Sequence, residues 1–139
     1  MSELASSPEN RARSADVADE RQRGGGGRVR PIRREDVPAV VGLALWFLNF
    51  STWRGTHGVY LEDLYVSPEH RRGGIGAALI RRVAEITLER GGARLEWTAL
   101  HWNEPALAFY EKLGAKVMHE WRTHRLDGET LRRVADAAS

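Results

Sequence analysis

No cysteine occurs anywhere in the 139 residues, which excludes disulfides, thiolate metal sites and a cysteine nucleophile together. Packing alone has to hold the fold. No apolar run approaches the roughly 20 residues that a membrane-spanning helix needs, and the opening Met1-Ser2-Glu3-Leu4 lacks the basic and apolar regions of a secretion signal. A cytoplasmic protein with no membrane partner is expected. Nor is there charge of one sign: 21 Lys and Arg stand against 19 Asp and Glu, for a net charge of +2. That is too little for the field on which generic nucleic-acid binding depends, so no nucleic-acid partner is expected. The histidines, His57, His70, His101, His119 and His124, share no ligand spacing, and no metal is assigned. What is present is 42% apolar residues, enough for one core and one domain at this length.

Residues 1–23 mix Ser, Ala, Glu and Arg and run into Gly24-Gly25-Gly26-Gly27, so residues 1–27 read as a flexible tail and linker, with the domain over 28–139. Residues 28–33 alternate weakly around Val29 and Ile32 as a short strand, and Arg34-Glu35-Asp36-Val37-Pro38 resembles the acidic first turn of a helix. Two apolar runs of strand length follow, 42–50 and 59–66, with a turn between them. Arg71-Arg72-Gly73-Gly74-Ile75-Gly76 opens a helix to about Arg90, with Leu79, Val83 and Ile86 at core spacing and Gly91-Gly92 as its stop. Residues 93–100 read as a strand. A second helix starts at Asn103, an N-cap, with Pro105 in its first turn and Gly114 past its end. Residues 117–126 read as a final strand and 128–138 as a terminal helical turn or two. Strand, crossover helix and strand make a parallel pair, so the strands ending near Val66 and Leu100 should be neighbours in an α/β fold.

Three glycines within four residues before an amphipathic helix leave backbone N–H groups open at the positive end of the helix dipole, where a phosphate binds. A plain turn needing positive φ is the other reading of such a loop. No Gly-Lys-Ser/Thr follows, which rejects a Walker A loop, and Gly74-Ile75-Gly76-Ala77-Ala78-Leu79 lacks the third glycine of a dinucleotide fingerprint. The loop instead resembles the pyrophosphate loop of the GNAT superfamily of N-acetyltransferases, Gln/Arg-x-x-Gly-x-Gly/Ala. Tyr60-Leu61-Glu62-Asp63-Leu64-Tyr65-Val66, Trp102-Asn103-Glu104-Pro105 and Phe109-Tyr110-Glu111-Lys112-Leu113-Gly114-Ala115 are similar to the diamine, or spermidine/spermine, acetyltransferase branch. The likeness runs from about Gly42 to the C-terminus.

That resemblance implies a GNAT-type mixed sheet with parallel central strands flanked by helices, acetyl-coenzyme A as cosubstrate, and acetyl transfer to a primary amine of a small cationic acceptor by direct attack in a ternary complex. It implies that the pantetheine arm pairs with backbone around Leu64, Tyr65 and Val66, that Arg71, Arg72, Gly73, Gly74, Ile75, Gly76 and Ala77 hold the phosphates, and that Asn103, Glu104, Pro105, Ala106 and Tyr110 meet the coenzyme. Binding beyond the carboxyl ends of parallel strands agrees with sheet topology. An alkylammonium near pKa 10.4 has no lone pair to attack with. Glu62, inside an apolar strand and at the family's carboxylate position, is the expected base through water, although a glutamate on a half-exposed strand also simply meets solvent. Tyr110 stands at the position of the family's acid for the departing thiolate. Glu62, Trp53, Glu96, Trp97, Thr98 and Glu120 are the expected acceptor contacts, since carboxylates and indoles suit a cation. Ser51 stands where the polyamine enzymes carry an acid, which brings a shorter diamine or a lysine-like amino acid level with spermidine. Family members are commonly homodimers.

The resemblance breaks before Gly42. Family members place a helix pair and a strand between the opening strand and this one, whereas here Pro38-Ala39 runs almost directly into Val40-Val41-Gly42. An N-terminal part shortened in this way makes a coenzyme-binding pseudoenzyme, lacking part of the acceptor site, the alternative to a working transferase.

Overall fold

Burial alternates along Val40–Ser51, with Val41, Ala44 and Trp46 shut away from water, as it does in a strand packed hard on one face. The computed structural model describes residues 14–19, 28–33, 35 and 40–137. In chain order these form β1 (Ser14–Asp19), β2 (Arg28–Pro31), β3 (Val40–Ser51), β4 (Thr56–Val66), a single 3₁₀ turn (Pro68–His70), α1 (Ile75–Glu89), β5 (Leu95–Glu96), α2 (Glu104–Lys112) and α3 (Gly128–Asp136). The strands make one mixed sheet in the order β2-β1-β3-β4-β5, antiparallel except for the parallel pair β4 and β5. That pair is the one expected from the strand, helix, strand order.

Helix α1 buries Leu79, Ile80, Val83, Ile86 and Thr87, a stripe at helical spacing. It lies against the face of the sheet that carries Gly42, where a Cβ would come within 2.8 Å of Ile75 Cγ2 and 3.1 Å of Leu79 Cδ1. Glycine at 42 is what lets the start of α1 approach the sheet this closely. The other end of α1 is tied down as well. His57 Nε2 donates to the Arg90 carbonyl at 2.6 Å, Gly92 N–H donates to the Thr87 carbonyl at 2.8 Å, and the Arg90 guanidinium lies 5.5 Å from the ring centroid of buried Trp46.

The described residues divide into two compact units between Trp102 and Asn103. In the second unit, Asn103 Oδ1 accepts from Ala106 N–H at 3.4 Å, which makes it the N-cap of α2 as read from sequence, and Gly114 takes φ 85° just past the helix end. The sequence reading needs correcting at three places. Ser14–Asp19, inside the expected tail, forms β1 and pairs with both β2 and β3, because backbone ladders need no large side chains. The 93–100 strand shrinks to Leu95–Glu96. Residues 117–126 form no strand, and Val117, Met118, Trp121 and Leu126 are exposed; no described strand pairs with this segment, and a lone strand has no ladder to hold it. The expected helix start over 34–38 lies outside the described residues apart from Glu35.

Candidate functional site

Parallel pairing of β4 with β5 consists of two steps, Val59 opposite Leu95 and Tyr60 opposite Glu96. Beyond Tyr60, β4 continues for six residues to Val66, about 20 Å of strand, with no β5 partner. Backbone groups along that edge alternate in direction, and those turned away from β3 meet no ladder partner in residues 97–100, so the pair opens here. An extended amide-bearing ligand can pair there as an added strand would.

A β-bulge sits at the mouth of the opening. Trp46 lies opposite Leu61 and Leu45 opposite Asp63, which leaves Glu62 as the extra residue of β4. The bulge re-aims the strand. Before it, Val59 and Leu61 lie opposite Leu48 and Trp46; after it, Leu64 and Val66 lie opposite Ala44 and Gly42 and share the face that α1 covers. Glu62 and Asp63 are both exposed, two neighbouring carboxylates on the side away from α1. Burial of Glu62 inside an apolar strand, as read from sequence, is therefore corrected to exposure on a bulge. On the same side the Phe47 and Tyr60 rings stand 5.2 Å apart, tilted by 33°, and the Tyr60 hydroxyl donates to Thr98 Oγ1 at 3.3 Å.

The loop at the end of β4 has the features an anion needs. Gly74 caps α1 with φ 83°, no side-chain cap bond is made, and the first turn holds no acidic residue. The first N–H groups of α1 are thus open at the positive end of its dipole. Arg72 takes φ 67°, a left-handed backbone that turns successive N–H groups inward. Nothing lies within 4 Å of where a Cβ on Gly74 would be, leaving room for a phosphate. Arg71 Nε donates to the Val66 carbonyl at 3.0 Å, fixing the loop to the strand end.

In the second unit, Tyr110 lies half-buried on α2 with its ring centroid 5.4 Å from that of Phe109. Burial pushes its hydroxyl pKa up, which keeps the phenol protonated. Glu104 and Pro105 are exposed in the first turn of the same helix, and Glu120 is exposed beyond it.

Residues 71–77 and Leu64 to Val66 thus meet at one end of β4, with Thr98 across the opening. The remaining acceptor residues expected from sequence are scattered. Trp53 is 88% exposed in the β3–β4 turn, and the six strand steps from Thr56 to Glu62 hold it about 20 Å along the strand from the bulge. Glu96 is held by Arg94 Nε at 2.7 Å and accepts from Asn49 Nδ2 at 3.3 Å. Sequence reasoning missed this pair, although residues two apart in a strand share a face. It also missed Phe47 and Tyr60; in the run 42–50 only alternate side chains can meet a covering helix, and Phe47 is of the other set. Among the described residues, no group of three or more His, Cys, Asp or Glu could hold a metal ion, and no helix is long and apolar enough to cross a membrane.

The sequence pattern of the acetyltransferase (GNAT) family matches residues 2–115. A thialysine N-epsilon-acetyltransferase of Bos taurus is 43% identical over 101 residues, covering 70% of this chain and 59% of its own length. An L-ornithine N5-acetyltransferase of Arabidopsis thaliana is 38% identical over 104 residues, covering 75% and 45%. The chain therefore spans about half the length of these relatives. Among solved structures, an integron cassette protein from the mobile metagenome of V. cholerae superposes with a TM-score of 0.68 at 30% identity, over 77% of this chain and 64% of that one.

Proposed function

This chain belongs to the acetyltransferase (GNAT) family, and on that footing we propose that it moves an acetyl group from acetyl-coenzyme A to a primary amine of a small cationic acceptor by direct attack in a ternary complex. The observation that carries the reading is the opening of the β4 and β5 pair after Tyr60, next to a helix N-terminus with neither a side-chain cap nor an acidic first turn. Phosphates suit the second and an extended pantetheine arm the first. Residues 71–77 bind the diphosphate, the backbone of Leu64, Tyr65 and Val66 the arm, and Asn103 to Ala106 the coenzyme from α2.

Glu62 takes a proton from the acceptor ammonium through a bridging water, as its exposure on the bulge suits. The freed nitrogen lone pair forms the new C–N bond, the C–S bond breaks, and Tyr110 supplies a proton to the departing thiolate. Acceptor binding falls to Glu62 and Asp63 with Phe47, Tyr60, Trp97 and Thr98 around them, since carboxylates and ring faces suit a cation. Trp53 is too distant for this group, Glu96 is committed to Arg94, and Glu120 remains a candidate from the second unit. Relatives named for thialysine and ornithine favour an amino acid with a side-chain amine over a polyamine. The reading includes a cytoplasmic homodimer with no nucleic-acid or membrane partner; sedimentation at twice the 15.6 kDa chain mass checks the dimer.

The test is release of free thiol that requires both acetyl-coenzyme A and an amine, across ornithine, thialysine, lysine, short diamines and spermidine. Silence across the panel, with calorimetry still recording coenzyme binding, selects the alternative of a coenzyme-binding pseudoenzyme lacking part of the acceptor site. Absence of coenzyme binding rejects both.

A further inference from the structure

Resting on the coenzyme reading above, we infer that Ser67 and His70 form a clamp that positions the diphosphate loop without touching the ligand. Ser67 is the N-cap of the 3₁₀ turn Pro68–His70, yet it makes no side-chain cap bond. A serine at that position ordinarily spends its hydroxyl on an amide of the turn; here the Oγ lies 2.6 Å from His70 Nδ1 instead. The same serine donates its N–H to the Val41 carbonyl at 2.8 Å, and His70 N–H donates to the Ser67 carbonyl at 2.9 Å. The imidazole is thereby anchored, by side chain and main chain, to the residue where β4 leaves the sheet.

The loop needs such an anchor. Arg72 holds φ 67°, a conformation that a non-glycine residue keeps only where its surroundings over-determine it. Downstream, α1 is held by its close approach to Gly42. Upstream, Arg71 is bonded through Nε to the Val66 carbonyl and follows directly on His70, and the His70 carbonyl lies 3.5 Å from where a Cβ on Gly73 would be. The loop is thus folded back over the histidine's own backbone. Fixing His70 sets the direction in which residues 71–74 leave the strand, and with it where their N–H groups point. Order present before the ligand arrives is order that binding does not have to supply.

Calorimetry on the full chain, with coenzyme A and with pantetheine, which shares the arm but lacks the diphosphate, tests the clamp. Ser67→Ala and His70→Phe are expected to weaken coenzyme A binding about five- to tenfold, the scale of one hydrogen bond, and to leave pantetheine binding unchanged. In turnover, KM for acetyl-coenzyme A rises by the same factor while kcat and the acceptor KM hold. Ser67→Thr, which keeps the hydroxyl, and His70→Asn, which keeps a polar atom near the Nδ1 position, restore wild-type affinity. Unchanged coenzyme A binding in Ser67→Ala overturns the clamp alone. Equal losses for coenzyme A and pantetheine assign the pair to general folding and overturn it too, whereas a wild-type chain that binds no coenzyme A rejects the coenzyme reading itself and this inference with it.

Discussion

A phenol that has to give up a proton serves only while it still holds one, and burial raises the Tyr110 hydroxyl above its ordinary pKa of 10.0. A raised value favours the protonated form, so Tyr110 remains a donor at every pH below about 10. The rate of thiol release is therefore expected to climb from pH 7 to 9.5 as the acceptor amine loses its proton. A falling limb below pH 9 that disappears in Tyr110→Phe would contradict this assignment. Tyr110→Phe itself is expected to lower kcat by about a hundredfold, the low end of general acid catalysis, with coenzyme affinity little changed. Glu62→Gln is expected to cost about as much, read from initial rates at saturating acceptor. At this scale the sequence was informative where a residue's job is local. Asn103 caps its own helix, and side-chain type and spacing are enough to see that. Exposure of Glu62 was not legible, because the bulge that turns it outward is a mismatch in length between β3 and β4. Neither strand records it alone.

Among the elements, α1 has most to do with the site, because its N-terminus faces the loop and its body covers the sheet. Gly42→Ala places a Cβ at 2.8 Å from Ile75 Cγ2, and relief of that contact moves the first turn of α1. Overpacking of this kind costs about 1 to 3 kcal/mol, so chemical denaturation is expected to show that loss together with weaker coenzyme binding. Leu79→Ala removes a fully buried side chain and is expected to cost about 2 to 5 kcal/mol. Helix α1 was readable from its stripe of Leu79, Val83 and Ile86 and its glycine stops, since helical packing repeats within one segment. Strands were less readable. Leu95 and Glu96 pair with β4 while residues 97–100 form no ladder with it, and residues 117–126 carry strand-forming side chains but no described partner. Pairing is decided by what lies alongside, which composition does not encode.

For the molecule as a whole, a ligand that binds only the folded chain adds stability by mass action, about 2.7 kcal/mol at a hundred times its Kd. Coenzyme A at that excess is expected to raise the melting temperature by several degrees, and a calorimetric scan with no rise would remove the coenzyme from the reading. The parallel pairing of β4 with β5 was foreseen from the order of elements; the joining of Ser14–Asp19 to the sheet was not, because its short side chains carry no apolar signal. The packing of Trp46 beneath Arg90 also has an optical outcome. Its indole is sealed from water, while Trp53, Trp102 and Trp121 are exposed. Iodide in solution should dim the red-edge emission of those three and leave a blue component untouched, and only when the core opens does that last light shift and become quenchable.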